Sequence, residues 1–305
     1  MKKVASFDIG SYTARMLIAA IERGILSSVL RLREYINIAY SIENGRISED
    51  AIKRTSSVIG RFLDIAKKNS VDSIYAIGTG VIREAKNRKE FLKRIEEETG
   101  LKINVISGKE EAVLSAKGAI YSLGIKREDL AVIDIGGGST EFFIKKEKEE
   151  VFSVRIGAAV LTKKYLLSDP PKKEETDRVL RIIEEKLKNK LVQYTDFDTI
   201  IGVGGTITSL AIALYKIPLS EVSPENINGR RLGKEDVAVL LEEMKNMKTE
   251  KRAKAFGLDI ERSKVIVAGT EILLKIMELL KAKEIIVSMS DLLEGIILKE
   301  EFGYA

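Results

Sequence analysis

Two short segments of the sequence carry residue types suited to phosphate chemistry. Each is an Asp-Ile-Gly motif that follows an apolar run and precedes hydroxyl-bearing residues: Asp8-Ile9-Gly10-Ser11 and Asp134-Ile135-Gly136-Gly137-Gly138-Ser139-Thr140. An aspartate at the end of a strand places a carboxylate beside a turn whose backbone N–H groups can converge on phosphate oxygens. We expect the two loops to bind one phosphate group from both sides, with a cation between Asp8 and Asp134. The alternative is that the glycines only form tight hairpins.

The composition narrows the chemistry further, because the chain has no cysteine and no histidine. Thiol nucleophiles, zinc clusters, histidine bases and disulfides are therefore excluded. Carboxylates, hydroxyls, Lys, Arg and backbone amides remain, together with Mg²⁺ or another divalent cation. The net charge of +5, from 51 basic and 46 acidic residues, is too small for a dedicated nucleic-acid binder.

The sequence also predicts a cytoplasmic location and no membrane partner. Only four uncharged residues stand between Met1-Lys2-Lys3 and Asp8, which is too few for the core of a signal peptide. The longest uncharged stretch, Thr199 to Tyr215, is interrupted by glycines and is shorter than the roughly 18 apolar residues of a membrane span.

The elements that would position the loops alternate between strands and helices. Val4–Ile9 and Arg15–Ile21 have the pattern of a hairpin, and a third strand is predicted over Ser28–Ile36. Helical and apolar segments then alternate in the order βββαβαβα. This order predicts an α/β fold whose sheet has a parallel portion and places ligands at the carboxyl ends of its strands.

The second half of the chain repeats the opening of the first. The segments VASFDIGSYTARMLIA and LAVIDIGGGSTEFFI share strand, Asp-Ile-Gly, hydroxyl-bearing turn and strand, which indicates duplication of a domain. A length of 305 residues also suits two domains of about 150 residues each. We predict domains over 1–124 and 125–289, with a C-terminal helix in 290–305 completing the first.

Further segments make the pattern specific. Together with the two loops, the sequence contains Gly78-Thr79-Gly80-Val81-Ile82-Arg83-Glu84-Ala85-Lys86-Asn87, Ile106-Ser107-Gly108-Lys109-Glu110-Glu111-Ala112 and Gly202-Val203-Gly204-Gly205-Thr206. In this order, and over most of the chain, it resembles the exopolyphosphatase/guanosine pentaphosphatase (Ppx/GppA) family in its short two-domain form. The resemblance implies the fold of actin, sugar kinases and Hsp70, with two actin-like (ribonuclease H-like, ASKHA) domains flanking a cleft.

The resemblance also implies an activity and roles for single residues. The expected enzyme is a hydrolase that uses Mg²⁺ and releases terminal phosphate from inorganic polyphosphate or from guanosine pentaphosphate (pppGpp to ppGpp). Glu111 is assigned as the base that activates water, Arg83 as a phosphate-contacting residue and Glu141 as a residue beside the metal. Sequence does not separate the two substrates or decide the oligomeric state, for which a homodimer is one candidate.

The residues themselves add two expectations. Gly204, Gly205 and Thr206 follow an apolar strand and begin a helix, so their amides could bind an anion. Ser107 and Glu110 have the spacing of a capping box, in which the serine caps the helix and the glutamate reaches back to it.

Three alternatives remain open for the residues that the resemblance assigns. Glu111 could be an exposed glutamate in the first turn of a helix. Arg83 could pair with Glu84 or Asp50 at the surface, and Glu141 could point outward from its strand.

For the whole chain, a small-molecule or sugar kinase of the same fold and a noncatalytic nucleotide-binding relative of actin are the alternatives. The sequence departs from the family pattern at Tyr12, at Gly78-Thr79-Gly80 and at Leu293.

Overall fold

The structure is a computed structural model that describes residues 1–194, 197 and 199–303. Its contacts divide the chain into two compact units. The first contains Met1–Gly118 and the described residues from Leu292 onward, and the second contains Ala119–Asp291. Tyr304 and Ala305, at the end of the predicted segment 290–305, lie outside the described residues.

The first unit is built on a five-stranded sheet with the strand order β3-β2-β1-β6-β7. Strands β4 and β5 pair only with each other and form a separate two-stranded sheet. The strands of this unit are β1 (Lys2–Ile9), β2 (Thr13–Glu22), β3 (Ile25–Tyr35), β4 (Ile42–Glu43), β5 (Arg46–Ile47), β6 (Ser73–Gly78) and β7 (Asn104–Val105). The first three strands pair antiparallel, and β6 and β7 continue the sheet in parallel with β1. The predicted hairpin and third strand are therefore present.

The helices of the first unit are α1 (Glu49–Lys68), α2 (Gly80–Glu84), α3 (Arg88–Thr99) and α4 (Gly108–Leu123). The last residues of α4 belong to the second unit, whereas the chain's final helix, Leu292–Phe302, belongs to the first. Ser48 caps α1 by accepting a hydrogen bond from the amide of Ala51, and Gly100, at a φ of 74°, ends α3. The short helix α2 was not predicted, because the sequence Gly-Thr-Gly before it resembles a turn.

The second unit has a six-stranded sheet with the order β10-β9-β8-β11-β13-β12. Its strands are β8 (Leu130–Ile135), β9 (Thr140–Lys145), β10 (Glu149–Val154), β11 (Ile200–Val203), β12 (Arg231–Gly233) and β13 (Glu284–Val287). As in the first unit, three antiparallel strands come first and two strands parallel to the first one follow. The edge strand β12 was not predicted, because three residues are too few to show alternation.

Seven helices of the second unit appear in its described residues. They are α5 (Ala158–Tyr165), α6 (Lys173–Leu191), α7 (Gly205–Tyr215), α8 (Pro224–Ile227), α9 (Lys234–Lys245), α10 (Thr249–Phe256) and α11 (Ile260–Leu279), and the final helix of the chain is therefore α12. Helix α11 is buried along most of its length and packs against α5, α6, α7, α9 and α10. No helix in the described part of the chain is long and apolar enough to cross a membrane.

Each unit thus has its own sheet, its own helices and its own apolar core. The α/β fold predicted from the alternation of strands and helices is confirmed. The shared strand order is the structural counterpart of the repeated sequence motif, since both units place an Asp-Ile-Gly segment at the end of their first strand.

Candidate phosphate and cation sites

The first loop connects β1 and β2 and is closed by a hydrogen bond from the amide of Gly10 to the carbonyl of Thr13, at 2.9 Å. Asp8 lies directly opposite Arg15 in this hairpin. The Nε and Nη2 atoms of Arg15 donate to the Oδ2 atom of Asp8 at 2.9 and 2.8 Å. The predicted metal ligand Asp8 is therefore part of an ion pair, and its partner Arg15 was not among the predicted site residues.

Ser11 is held by the start of α2. The amide of Val81 donates to the Oγ atom of Ser11 at 3.0 Å. A β-carbon added at Gly80 would lie 2.1 Å from that Oγ, and Gly80 has a φ of +51°, so only glycine leaves room for this approach without strain. Because the hydroxyl accepts from the amide, its own proton stays available for donation to another oxygen.

Tyr12 has its aromatic ring in the core of the first unit. Only 4% of the residue is exposed. Its ring packs edge-on against Tyr35 and Tyr40, with centroid distances of 5.3 and 5.7 Å. Tyr12, which departs from the family pattern, therefore packs the first loop against Tyr35 and Tyr40.

Two residues that are 28 positions apart in the sequence meet between α2, whose start contacts Ser11, and α4. The Nη1 atom of Arg83, on α2, donates to Oε2 of Glu111, on α4, at 2.9 Å and to the carbonyl of Ile106 at 3.1 Å. Glu111 is only 8% exposed. The alternative that Glu111 is an ordinary exposed residue is therefore wrong, and the partner of Arg83 is the proposed base.

Of the two hydrogen bonds of the predicted capping box at the start of α4, the one accepted by the side chain of Ser107 is present. The amide of Glu110 donates to the Oγ atom of Ser107 at 3.1 Å, as predicted. The side chain of Glu110 instead accepts a hydrogen bond from Nζ of Lys299, on α12, at 2.7 Å. This bond raises the pKa of Lys299 above its ordinary value. Glu110 thus ties two helices together, while its neighbour Glu111 faces Arg83.

The second loop connects β8 and β9 and closes in the same way as the first, with a bond from the amide of Gly136 to the carbonyl of Ser139 at 3.0 Å. It is also supported from the segment after β10. A β-carbon added at Gly157 would lie 2.4 Å from the carbonyl oxygen of Gly137, so the two backbones are in direct contact. Amides in the first turn of α5 donate to the carbonyls of Gly136 and Gly137. The loop is therefore held in one shape.

Thr140, which follows Ser139 in the second loop, uses its hydroxyl in a contact within the fold. Its side chain is fully buried, and its Oγ1 atom donates to the carbonyl of Ile156 at 2.7 Å. Thr140 thus fastens β9 to the segment that supports the loop.

Asp134 and Glu141 form a pair of carboxylates on adjacent strands. They lie directly opposite each other in the antiparallel pairing of β8 and β9, so their side chains project from the same face of the sheet. They are 8% and 2% exposed, respectively. Glu141 therefore does not point outward to solvent, and the pair is a candidate to hold a cation.

The turn that begins α7 lies against Asp134. Gly204 has a φ of +89°, and a β-carbon added there would lie 2.6 Å from Oδ1 of Asp134. A β-carbon added at Gly205 would lie 2.2 Å from Nη2 of Arg262, whose guanidinium therefore covers the start of the helix. Thr206 is buried against Gly269 of α11. The predicted anion-binding turn thus has a carboxylate on one side and a guanidinium on the other.

Comparison with known proteins now identifies the family. The model of the Ppx/GppA phosphatase family matches residues 17–302. The chain belongs to the Ppx/GppA phosphatase family. Its structure resembles the crystal structure of the Aquifex aeolicus family member with a TM-score of 0.82 and 35% identity, covering 99% of this chain and 98% of the other.

Two curated relatives of this Ppx/GppA chain are named by activity. Exopolyphosphatase 2 of Mycobacterium tuberculosis is 27% identical over 315 residues, which covers 98% of each chain. The guanosine-5'-triphosphate,3'-diphosphate pyrophosphatase of Aliivibrio fischeri is 28% identical over 298 residues, or 96% of this chain and 58% of the relative. The chain spans about half the length of some curated relatives, with 46% in one case.

Two residues that contact the loops of this Ppx/GppA protein, Arg15 and Gly157, were not predicted from the sequence. Arg15 follows Asp8 by seven residues, just as Glu141 follows Asp134, and this equal spacing around two hairpins was a signal that could have found it. Gly157 gives no signal in the sequence, because its importance comes from a contact with a loop 20 residues away.

Arg252 is a buried arginine of α10 to which the sequence analysis gave no role. It is 2% exposed, and its guanidinium donates to the carbonyls of Met244, Met247 and Ser263 at 2.6 to 2.8 Å. Burial lowers the pKa of Arg252 from its ordinary value. The side chain therefore joins the end of α9 to α11.

Proposed function

We propose that this protein hydrolyses the terminal phosphoanhydride bond of inorganic polyphosphate or of guanosine pentaphosphate. The observation that carries the proposal is the contact at 2.9 Å between Arg83 and the buried carboxylate of Glu111, with Arg83 on the helix whose start contacts Ser11 of the first loop. The names of the two curated relatives, an exopolyphosphatase and a guanosine pentaphosphate pyrophosphatase, support the same reaction class.

In the proposed reaction, Glu111 accepts a proton from a water molecule while the water oxygen attacks the terminal phosphorus. The bond between that phosphorus and the bridging oxygen breaks, and the shortened substrate leaves with the electron pair. Arg83 is suited to bind the phosphoryl oxygens because its planar guanidinium can make two parallel hydrogen bonds. Its contact with Glu111 also fixes the base, since the carboxylate has a partner before substrate arrives.

Phosphate binding in this proposal uses groups whose geometry is set by the fold. The hydroxyl of Ser11 accepts a hydrogen bond from the amide of Val81, and this contact orients it without using its proton, which can be donated to a phosphoryl oxygen. The second unit has its own candidate phosphate donors, the backbone amides of Gly137 to Ser139 and of the turn at Gly204 and Gly205. Most of the acceleration in phosphoryl transfer comes from such preorganised positive groups.

A divalent cation fits this set of residues. Mg²⁺ usually binds through one or two carboxylates and completes its coordination with water and substrate phosphates. Asp134 and Glu141 supply two adjacent carboxylates, and the described residues contain no group of three or more acidic side chains that could hold a metal ion. When bound, the cation would neutralise negative charge on phosphate oxygens. Asp8 fits this role less well, because Arg15 already compensates its charge.

The test is phosphate release from polyphosphate, guanosine pentaphosphate and ATP in the presence of Mg²⁺. We expect Glu111→Gln to lower kcat by roughly 10² to 10⁴-fold, which is the usual contribution of a general base. Glu110→Gln is a matched control, since it removes the neighbouring carboxylate and its bond to Lys299 but leaves the Arg83 contact. Its kcat should stay within about threefold of the native value.

Two results would contradict the proposal. One is a Glu111→Gln variant whose kcat is within tenfold of the native enzyme, because water activation would then not need this carboxylate. The other is phosphoryl transfer from ATP to an added acceptor hydroxyl with no release from either polyphosphate or guanosine pentaphosphate, which would indicate a kinase.

A further inference from the structure

The second unit carries a row of three polar side chains across neighbouring strands. Asp134 on β8 lies opposite Glu141 on β9, and Glu141 lies opposite Ser153 on β10. Because directly opposite residues of antiparallel strands share a face, the three side chains are neighbours. The Oγ atom of Ser153 donates to Oε1 of Glu141 at 2.8 Å.

We propose that Ser153 is a positioning residue that holds the carboxylate of Glu141 in the orientation needed to bind the divalent cation. This inference rests on the proposed function, in which Asp134 and Glu141 hold that cation. A glutamate side chain has several rotatable bonds, and restricting them when the cation binds costs conformational entropy. A hydrogen bond made before the cation arrives reduces that cost.

The hydrogen bond from Ser153 does not prevent the carboxylate of Glu141 from binding a cation. Each carboxylate oxygen has two lone pairs, so the oxygen that accepts from Ser153 keeps one for another partner. Groups that hydrogen-bond to a metal ligand in this way orient it, and their loss usually costs about 10 to 100-fold in metal affinity or activity.

The same row in the first unit has a different chemistry. Asp8 lies opposite Arg15, and Arg15 lies opposite Arg33. The duplicated fold therefore does not require a glutamate and a serine at these positions. The combination of a glutamate with a hydroxyl donor occurs in the second unit, beside Asp134. This is the unit in which we propose that a cation binds.

The position of Ser153 also connects the row to the glycine loop. Four residues after Ser153, the chain reaches Gly157, which contacts the backbone of Gly137. Between them, the carbonyl of Ile156 accepts the hydroxyl of Thr140 at 2.7 Å. The end of β10 and the residues after it thus fix both the carboxylate and the adjacent loop.

The experiment measures cation binding directly. Mn²⁺ is titrated into the protein with inorganic phosphate present, and free Mn²⁺ is followed by electron paramagnetic resonance. We expect Ser153→Ala to raise the Kd for Mn²⁺ by about 10 to 100-fold. Ser153→Thr keeps the hydroxyl on a residue that strands favour, and its Kd should lie within about threefold of the native value. Thr162→Ala is the control, because it removes a hydroxyl bonded to a helix carbonyl in the same unit.

A kinetic measurement separates positioning from general damage. For Ser153→Ala, the Mg²⁺ concentration that gives half-maximal phosphate release should rise by the same factor as the Kd, while kcat at saturating Mg²⁺ stays within about threefold of native. If Ser153 only stabilised the sheet, the melting temperature and kcat would fall while Mn²⁺ affinity stayed unchanged, and the proposal would be overturned.

Two further outcomes distinguish this proposal from the proposed function. A native protein that binds Mn²⁺ but releases no phosphate from polyphosphate or guanosine pentaphosphate would refute the hydrolase, yet the Ser153 variants would still test the positioning role by their Kd. A native protein that binds no Mn²⁺ under these conditions would overturn the role of Ser153, whatever its activity.

Discussion

Glu271 is a buried carboxyl group that lies in α11, and it allows a quantitative prediction. The residue is 5% exposed. Burial raises the pKa of Glu271 from its ordinary value of 4.5 to about 7. The charges around it act in both directions, since Lys245 and Lys275 lower this pKa while Glu242 and Asp177 raise it. Desolvation remains the largest cause.

The sign of the effect on stability follows from proton binding. Between pH 4.5 and about 7, Glu271 is ionised in the unfolded chain and protonated in the fold, so the fold binds more protons. Its stabilising effect is complete below pH 4.5 and is lost as the pH rises through about 7. A pKa difference from 4.5 to about 7 corresponds to about 3 kcal/mol, because each pKa unit is worth about 1.4 kcal/mol.

The perturbation is Glu271→Gln, which keeps the size of the side chain and removes its titration. We expect the free energy of unfolding of this variant minus that of the native protein to increase by about 3 kcal/mol from pH 4 to pH 8, because only the native protein loses stability over this range. Urea unfolding at both pH values, followed by circular dichroism, gives the difference. Two compact units can unfold separately, so the transition that responds to substitutions in α11 is the one to fit.

The control is Glu278→Gln, which changes an exposed glutamate on the same helix that pairs with Lys275 at 2.9 Å. Its effect on stability should differ by less than about 1 kcal/mol between the two pH values, as for other surface ion pairs. The reasoning about Glu271 is refuted if the stability difference between native protein and Glu271→Gln is the same at pH 4 and pH 8.

Three other substitutions test the contacts that hold the site and its scaffold. Gly157→Ala places a methyl group against the carbonyl of Gly137, so the loop must move, and phosphate-release assays should show kcat reduced by about 10²-fold or more. Gly80→Ala forces a φ of +51° on alanine and a clash with Ser11; we expect thermal denaturation to show a loss of about 1 to 3 kcal/mol, and unchanged stability would contradict the strain. Arg252→Met removes three hydrogen bonds from buried carbonyls, and urea unfolding should show a loss of about 3 to 5 kcal/mol.

The features of the fold that could be predicted from sequence are the ones with long or repeated patterns. The apolar strand and turn at Asp8 and its repeat at Asp134 indicated both sheets, and helical periodicity located α1 and α11 to within a few residues. Short elements were missed, namely α2, α8, α10, β4, β5 and β12. Their lengths of two to eight residues give too few periods to distinguish them from turns or from the ends of neighbouring helices.

The pairing of Glu111 with Arg83 shows what sequence could supply at the site and what it could not. Each residue stood in a recognisable motif, but their contact depends on α2 and α4, and the first of these helices was not predicted. Gly157 and Ser153 have no local pattern at all. Their roles arise from long-range contacts with Gly137 and Glu141, which only the folded chain brings together.

The two copies of the Asp-Ile-Gly motif also have different neighbours across their hairpins. From sequence, Asp8 and Asp134 were predicted to be equivalent metal ligands, since both end the first strand of a repeat. Seven residues later, however, one hairpin has Arg15 and the other has Glu141. A guanidinium at 2.8 Å compensates the charge of Asp8, whereas a second carboxylate opposite Asp134 increases the attraction for a cation. The residue across the strand therefore differs between the two copies of the motif, and it gives Asp8 a guanidinium neighbour and Asp134 a carboxylate neighbour.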